Sequence, residues 1–217
     1  MIQGVIFDLD GVLTDTAVYH YQSWRNIASG VGFDLTESHN EQLKGVSRAE
    51  SLDIILNWAG AERSVEEKAL LLTEKNNHYL TLIASLSTAD ILPGVVDFLS
   101  NIRSGGLKTA VGSSSKNAVF ILDKLQLTGY FDAIVDGNMV KQTKPDPEVF
   151  VNAAQLLGLP TQNCLVIEDA DAGVTAARAA GMFVLRINGH GQLQDADLCV
   201  ENLLNIDLQF VKTHFST

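Results

Sequence analysis

The chain is poor in cysteine: Cys164 and Cys199 are the only two in 217 residues, and neither stands in a CxxC spacing or beside a histidine. Cysteine chemistry is thereby set aside, and both are expected to be reduced core residues. Basic residues are scarce as well, 15 Lys and Arg against 26 Asp and Glu, for a formal net charge of −11. Nucleic acids and anionic membranes both demand a basic face, so neither is expected as a partner. No apolar run approaches the ~20 residues that span a bilayer. The first residues enter a strand-like run with no basic leader segment, so a soluble, cytoplasmic protein is expected. Internal repeats and low-complexity tracts are missing too. What is abundant is apolar residues, at 46%, enough core for one domain of ordinary size plus an insertion, or for two small domains.

Strand-like apolar runs fall near 3–8, 107–112, 132–135, 164–168 and 182–187, and helical spacing fills 95–106, 118–129, 147–158 and 171–181. Several of these helical segments end in glycine, as helix stops do. Such alternation predicts right-handed crossovers and an α/β fold, a doubly wound, Rossmann-like parallel sheet with helices on both faces. The stretch 15–88 breaks the pattern, because TAVYHYQSWRNIASGVG, RAESLDIILNWAG and SVEEKALLLTEKNNHYLTLIASL are helical throughout. The expected organisation is an α/β core of residues 1–14 and 89–217 with an all-helical cap inserted at 15–88. The crossings near 13–17 and 86–93 would be its hinge.

The segment VIFDLDGVLT at 5–14 carries the strongest chemical signal. In a parallel sheet, ligands bind outside the carboxyl ends of the strands, so a buried strand ending in Asp8 and Asp10 delivers both acids to the crevice. Strand alternation predicts that residues 8 and 10 share one side and Leu9 the other. Two neighbouring acids in different environments can divide nucleophilic attack from proton shuttling. A strand followed by a merely acidic turn is the plainer alternative.

Three further segments end elements in the same way. GSSSKN at 112–117 puts serine hydroxyls beside the N–H groups of a starting helix, a natural phosphate cradle. A simple serine cap would need one serine, not three followed by Lys116 and Asn117. KPDPE at 144–148 holds Lys144 extended before Pro145, placed to neutralise a carboxylate and a transferring phosphate; a solvated surface lysine is the competing reading. VIEDADAG at 166–173 ends a strand in Glu168 and Asp169, hard oxygen ligands that suit Mg²⁺, although Asp169 or Asp171 could instead cap the next helix. Four acids in one partly desolvated cleft would repel each other, so a magnesium ion and Lys144 are expected among Asp8, Asp10, Glu168 and Asp169.

In this order, DLDGVLTDT at 8–16, GSSSKN, KPDPE and IEDADAG resemble the four motifs of the haloacid dehalogenase-like phosphotransferases, across residues 5–173. Aspartate at both 8 and 10 is closer to that family's phosphatases and phosphomutases than to its dehalogenases. LKGVSRAESL at 43–52, with His20 and Trp24 in the first cap helix and KNNHY at 75–79 in the last, resembles the cap of the β-phosphoglucomutase branch. Taken alone, 43–52 reads more plainly as a helix-turn-helix link with a stray arginine.

The resemblance implies Asp8 as nucleophile, Asp10 as general acid and base, and Mg²⁺ held by Asp8, Asp10, Glu168 and Asp169. It implies that Lys44, Gly45, Val46, Arg48 and Ser51 line the sugar side. Arg48, Ser115 and Asn117 would hold the non-transferring phosphate, and Ser113, Ser114 and Lys144 the transferring one. His20 and Lys75 would support Asp10, and Thr16, Trp24 and Lys116 complete the substrate set. The implied reaction interconverts β-D-glucose 1-phosphate and glucose 6-phosphate through an aspartyl-phosphate and a bisphosphate intermediate, on a small phosphosugar in a protein expected to be monomeric. A sugar-phosphate phosphatase shares every core motif and stays open. So does a phosphosugar-binding protein without turnover, although binding alone needs no pair of acids at 8 and 10. GSSSKN carries one serine more than the familiar mutases, which bears on phosphate contacts and water access.

Overall fold

The computed structural model describes residues 1–43, 46–187 and 196–215. Six strands, β1 (Gly4–Phe7), β2 (Lys108–Gly112), β3 (Ala133–Val135), β4 (Cys164–Glu168), β5 (Phe183–Ile187) and β6 (Leu198–Val200), form one sheet in the order β3-β2-β1-β4-β5-β6. Every pairing is parallel. The order reverses between β1 and β4, which makes their carboxyl ends the switch point where doubly wound sheets bind ligands. Both strands are buried along their whole length, as the continuous runs GVIF and CLVIE require of central parallel strands.

The insertion that follows β1 holds four α-helices among the described residues: α1 (Ala17–Gly30), α2 (Glu37–Glu41), α3 (Arg48–Ala59) and α4 (Val65–Ile83). They are followed by α5 (Val95–Ser104), α6 (Ala118–Lys124), α7 (Glu148–Leu157), α8 (Asp171–Ala179) and α9 (Leu208–His214). Alternation along β1 sorts the core into two faces. Val5 and Phe7 pack with Phe98, Leu99 and Ile102 of α5, Ile121 of α6 and Val211 of α9. Ile6 points the other way, to Phe150 and Ala153 of α7 and Ala177 of α8.

The helical insertion has its own apolar cluster, built by Trp24, Ile27, Leu35, Leu52, Ile55 and Leu56, while Tyr79 and Ile83 of α4 join the sheet's cluster. Local signals start these helices: Ser47 with Glu50 and Ser64 with Glu67 form reciprocal capping boxes at α3 and α4. The two crossings between insertion and sheet stand side by side. Leu92 N–H donates to the Leu13 carbonyl at 3.0 Å and the Thr14 hydroxyl to the Asp90 carbonyl at 2.8 Å. No helix among the described residues is long and apolar enough to cross a membrane.

Three expectations need correction. Strand β1 stops at Phe7, so alternation does not place Asp8 and Asp10. Asp8 N–H still donates to the Ile167 carbonyl at 3.0 Å, but Gly11 at φ +82° then turns the chain and Asp10 pairs only with Thr14. Cys164 is buried as expected, whereas Cys199 is half-buried. It lies on β6, and neither β6 nor α9 was anticipated. Three residues, LCV, are too few to show a period, and only pairing with β5 makes them a strand.

Candidate active site

The switch point sets the end of β1 beside the end of β4, with Phe7 in register with Ile167. Carboxylate oxygens of Asp8, Glu168 and Asp169 consequently lie within 4.8 Å of one another. Lys144, in the loop before α7, reaches under them. Its Nζ is 2.6 Å from Asp8 Oδ1 and 2.7 Å from Glu168 Oε1, and it is itself buried. The Lys144–Pro145 peptide is cis. Burial works against the lysine's charge, yet Asp8 and Glu168 hold it above the ordinary lysine value. Burial pushes the Asp8 carboxyl up, Lys144 pulls it back, and Glu168 and Asp10 add to the rise.

Glycines make the cluster sterically possible. A Cβ on Gly11 would fall inside the Asp169 carboxylate, and one on Gly173 inside that of Glu168. Glu168 Oε2 accepts the N–H groups of Asp169 and Ala170, both at 2.7 Å, so Glu168 is held by the main chain as well as by Lys144. One lysine against three acids leaves a surplus of negative charge on hard oxygen donors. That composition fits a divalent cation, which is the group the residues can hold.

Asp10 stands apart from this cluster. Its carboxylate accepts a hydrogen bond from the Thr16 hydroxyl, and burial raises it above the usual carboxylate range while Thr16, Lys144 and Lys75 oppose the rise. Facing it from the insertion are His20 on α1 and, one turn apart on α4, Lys75 and Tyr79. Lys75 Nζ sits 3.0 Å from His20 Nδ1, 4.5 Å from the Tyr79 ring centre and 4.9 Å from that of Trp24. Burial, then Arg48, brings Lys75 down to about 7. Burial, then Lys75 and Arg48, hold His20 well below its ordinary value, so its neutral ring can accept from the ammonium.

Arg48, the first residue of α3, is half-buried and makes no ion pair with the described residues. Burial lowers its pKa. Ser51 follows one turn later and is buried, and Val46 is half-buried. Trp24 is buried in the insertion's apolar cluster and reaches the site through Lys75. Lys44 and Gly45 lie outside the described residues.

The GSSSKN loop differs from the expected array of free hydroxyls. Ser113 Oγ accepts the Ser115 N–H at 3.1 Å and Ser115 Oγ the Asn117 N–H at 3.2 Å, so two of the serines fold the loop on itself. Ser114 is half-buried and Lys116 exposed, while Asn117 Nδ2 donates to Asn76 Oδ1 across to α4 at 3.0 Å. Sequence reasoning missed the turn behind this loop. Gly137 N–H donates to the Ser115 carbonyl at 3.2 Å and Asn138 Nδ2 to that of Lys116 at 3.1 Å, and a Cβ on Gly137 would strike the Ser114 backbone. The dipeptide Gly137-Asn138 was its only signal. Tyr79 was also passed over as a site residue, although its spacing of four from Lys75 puts both on one helix face.

The family model for haloacid dehalogenase-like hydrolases matches residues 2–181. The chain is 41% identical to the β-phosphoglucomutase of Bacillus subtilis over 213 residues, 97% of this chain and 94% of that protein. It is 33% identical to a phosphorylated carbohydrates phosphatase of Thermotoga maritima, over 83% of this chain and 82% of the other. A crystal structure of β-phosphoglucomutase from Clostridium difficile superposes with a TM-score of 0.95 at 41% identity, covering 99% of this chain and 97% of that one. This chain belongs to the haloacid dehalogenase-like hydrolase family.

Proposed function

We propose that the chain is a magnesium-dependent β-phosphoglucomutase in which residues 15–88 act as a cap over a core of 1–14 and 89–217. The observation that carries this reading is the division of positive charge. Lys144 in the core already has Asp8 and Glu168 as partners, whereas Arg48 and the buried Lys75 in the insertion press on each other with no ion pair to a described carboxylate. Asp10 lies within electrostatic reach of both Lys144 and Lys75. A sugar carrying phosphate at both ends satisfies the two poles together, and a monophosphate leaves one unanswered. The names and extent of the Bacillus and Clostridium relatives support the same reading.

In this mechanism an Asp8 oxygen attacks phosphorus, the bond from phosphorus to the sugar oxygen breaks, and that oxygen takes the proton of Asp10. In the return direction Asp10 removes the proton of the accepting hydroxyl as the phosphoryl group leaves Asp8. Thr16, His20 and Lys75 hold the Asp10 carboxylate in its separate pocket. Arg48, Ser115, Lys116 and Asn117 bind the phosphate that is not moving, and Ser113, Ser114 and Lys144 the one that is. Guanidinium suits the first task because its fork binds phosphate whichever end of the sugar presents it. Asp8, Asp169 and Glu168, whose carboxylates lie together, would hold the magnesium ion, which when bound would polarise a phosphoryl oxygen and offset the acids; Asp10, expected among the ligands, is turned to Thr16 and keeps the proton-transfer role. Closure of the cap keeps water from the aspartyl-phosphate. Every proposed site residue comes from this one chain, so we take it to work as a monomer, and its free cysteines suit the reducing cytoplasm.

The deciding assay supplies β-glucose 1-phosphate, Mg²⁺ and a trace of bisphosphate primer. Glucose 6-phosphate is expected as the main product, and activity should vanish in excess chelator. Dominant free phosphate would replace the mutase reading with a phosphatase, absence of any turnover would leave a binding protein, and activity that survives chelation would reject the metal.

Arg48→Ala tests the second pole. It should cost about 2 to 4 kcal/mol in catalysis on phosphosugars, the scale for losing a charge-assisted partner in a closed site. Acetyl phosphate, which has one phosphate and no sugar, should still phosphorylate Asp8 nearly as in the wild type. An equal loss on acetyl phosphate would move Arg48 to the transferring group or to the fold.

A further inference from the structure

Besides the bonds at the paired crossings and the nearby Lys124–Ala84 bond, two side-chain hydrogen bonds join the insertion to loops of the core, and neither belongs to the acid cluster. Asn117 Nδ2 donates to Asn76 Oδ1 at 3.0 Å, across 41 residues, and the Thr143 hydroxyl donates to Glu50 Oε2 at 2.7 Å, across 93 residues. Their positions are informative. Asn76 follows Lys75 on α4, and Glu50 lies two residues after Arg48 on α3, so each bond starts beside one cation of the cap. Asn117 ends the GSSSKN loop and Thr143 immediately precedes Lys144, so each bond lands on a loop that handles phosphate.

We propose that Asn76–Asn117 and Glu50–Thr143 form a two-point clasp that holds the cap shut and sets how often water, rather than a sugar hydroxyl, takes the phosphoryl group from Asp8. The proposal rests on the reading of Asp8 as the phosphorylated residue. Glu50 is prepared for this part because its carboxylate is already held by the capping box of α3: the same Oε2 accepts the Ser47 hydroxyl at 2.6 Å and the Ser47 N–H at 3.3 Å. A group fixed before closure loses little freedom when Thr143 arrives. Asn117 is prepared in turn by its own loop, through the Ser115 hydroxyl and the Asn138–Lys116 bond. The Asn76–Asn117 bond is partly buried and the Glu50–Thr143 bond exposed, so water can replace both when the site opens for product release. The crossings 13–17 and 86–93 stay joined by main-chain bonds such as Leu92 to Leu13. The clasp thus closes one rim while the crossings keep the other connected.

The test uses Asn76→Ala, which keeps a good helix former on α4, Thr143→Val, which removes only the hydroxyl, and the double variant. Each is loaded with acetyl phosphate and Mg²⁺, the donor is removed, and decay of the aspartyl-phosphate is followed. In parallel the ratio of free phosphate to glucose 6-phosphate is measured from β-glucose 1-phosphate with primer. Loss of one hydrogen bond predicts decay about two- to tenfold faster for each single variant, multiplying in the double one if the two points act independently. The product ratio should move toward free phosphate by a similar factor. A purely structural role would shift thermal unfolding and leave lifetime and product ratio alone. Wild-type lifetime and ratio in all three variants would overturn the clasp. A wild-type enzyme that makes only free phosphate would overturn the mutase reading instead, and the lifetime comparison would still decide the clasp.

Discussion

Asp8→Asn is expected to abolish formation of the covalent phosphoenzyme, with turnover falling by on the order of 10⁶, the scale seen when a covalent nucleophile is removed. An amide oxygen is a poor nucleophile, and Asp169, the cluster acid beside Asp8, is proposed to hold the metal and not the phosphoryl group. Glu168 is further tied to Lys144 and to two main-chain N–H groups, and Asp10, outside the cluster, is turned to Thr16. The variant should fold, because asparagine keeps the shape of aspartate and Lys144 retains Glu168 as its counter-charge at 2.7 Å. Mass spectrometry after acetyl phosphate treatment checks the outcome. A phosphate still attached covalently to the Asp8→Asn protein would remove Asp8 from its role.

For Asp10→Asn the loss should depend on the donor. A sugar oxygen leaves with general-acid help that contributes about 10² to 10⁴ in rate, whereas acetyl phosphate has a leaving group that needs no proton. Turnover of β-glucose 1,6-bisphosphate should therefore fall by about that factor, while phosphorylation of Asp8 by acetyl phosphate is largely kept. The pH dependence carries the same sign. Burial raises the Asp10 carboxyl, so its acid form persists above the usual carboxylate range and is lost as pH rises through the raised pKa. An alkaline limb is expected with the bisphosphate in the wild type and should be absent with acetyl phosphate. Equal losses on both donors would show that Asp10 does not supply the proton.

The separation of these two roles illustrates what could be read before folding was known. Asp8, Glu168 and Asp169 were legible because each ends a buried strand or directly follows it, and a parallel sheet brings such ends to one edge; Lys144 lies well beyond β3 and was placed by charge instead. The charge argument that placed Lys144 among the acids is matched by its two ion pairs. Asp10 was found for a reason that did not hold. The strand ends before it, and a glycine turn with the Thr16 hydroxyl, not alternation, takes its carboxylate away from that of Asp8. Lys75 and Trp24 could be named from the cap motif, but their stacking of an ammonium on two aromatic rings joins α1 and α4, whose relative placement no local period reports.

The amino-acid sequence by itself determined the elements other than β6 and α9 and their layers, since alternation along β1 and helical spacing in α5, α7 and α8 state which face each residue buries. It also brought Asp8, Glu168, Asp169 and Lys144 to the strand ends, although it put Asp10 with them, whose carboxylate stands apart. Only the tertiary structure decided that one lysine pairs with two acids while Arg48 and Lys75 form no ion pair with a carboxylate among the described residues, and that Glu50 and Asn76 meet Thr143 and Asn117. Those contacts join residues 41 and 93 positions apart through single polar bonds between loops and helices. Such bonds leave no periodic trace in the chain, because they depend on how packed bodies dock and not on which face of an element is apolar.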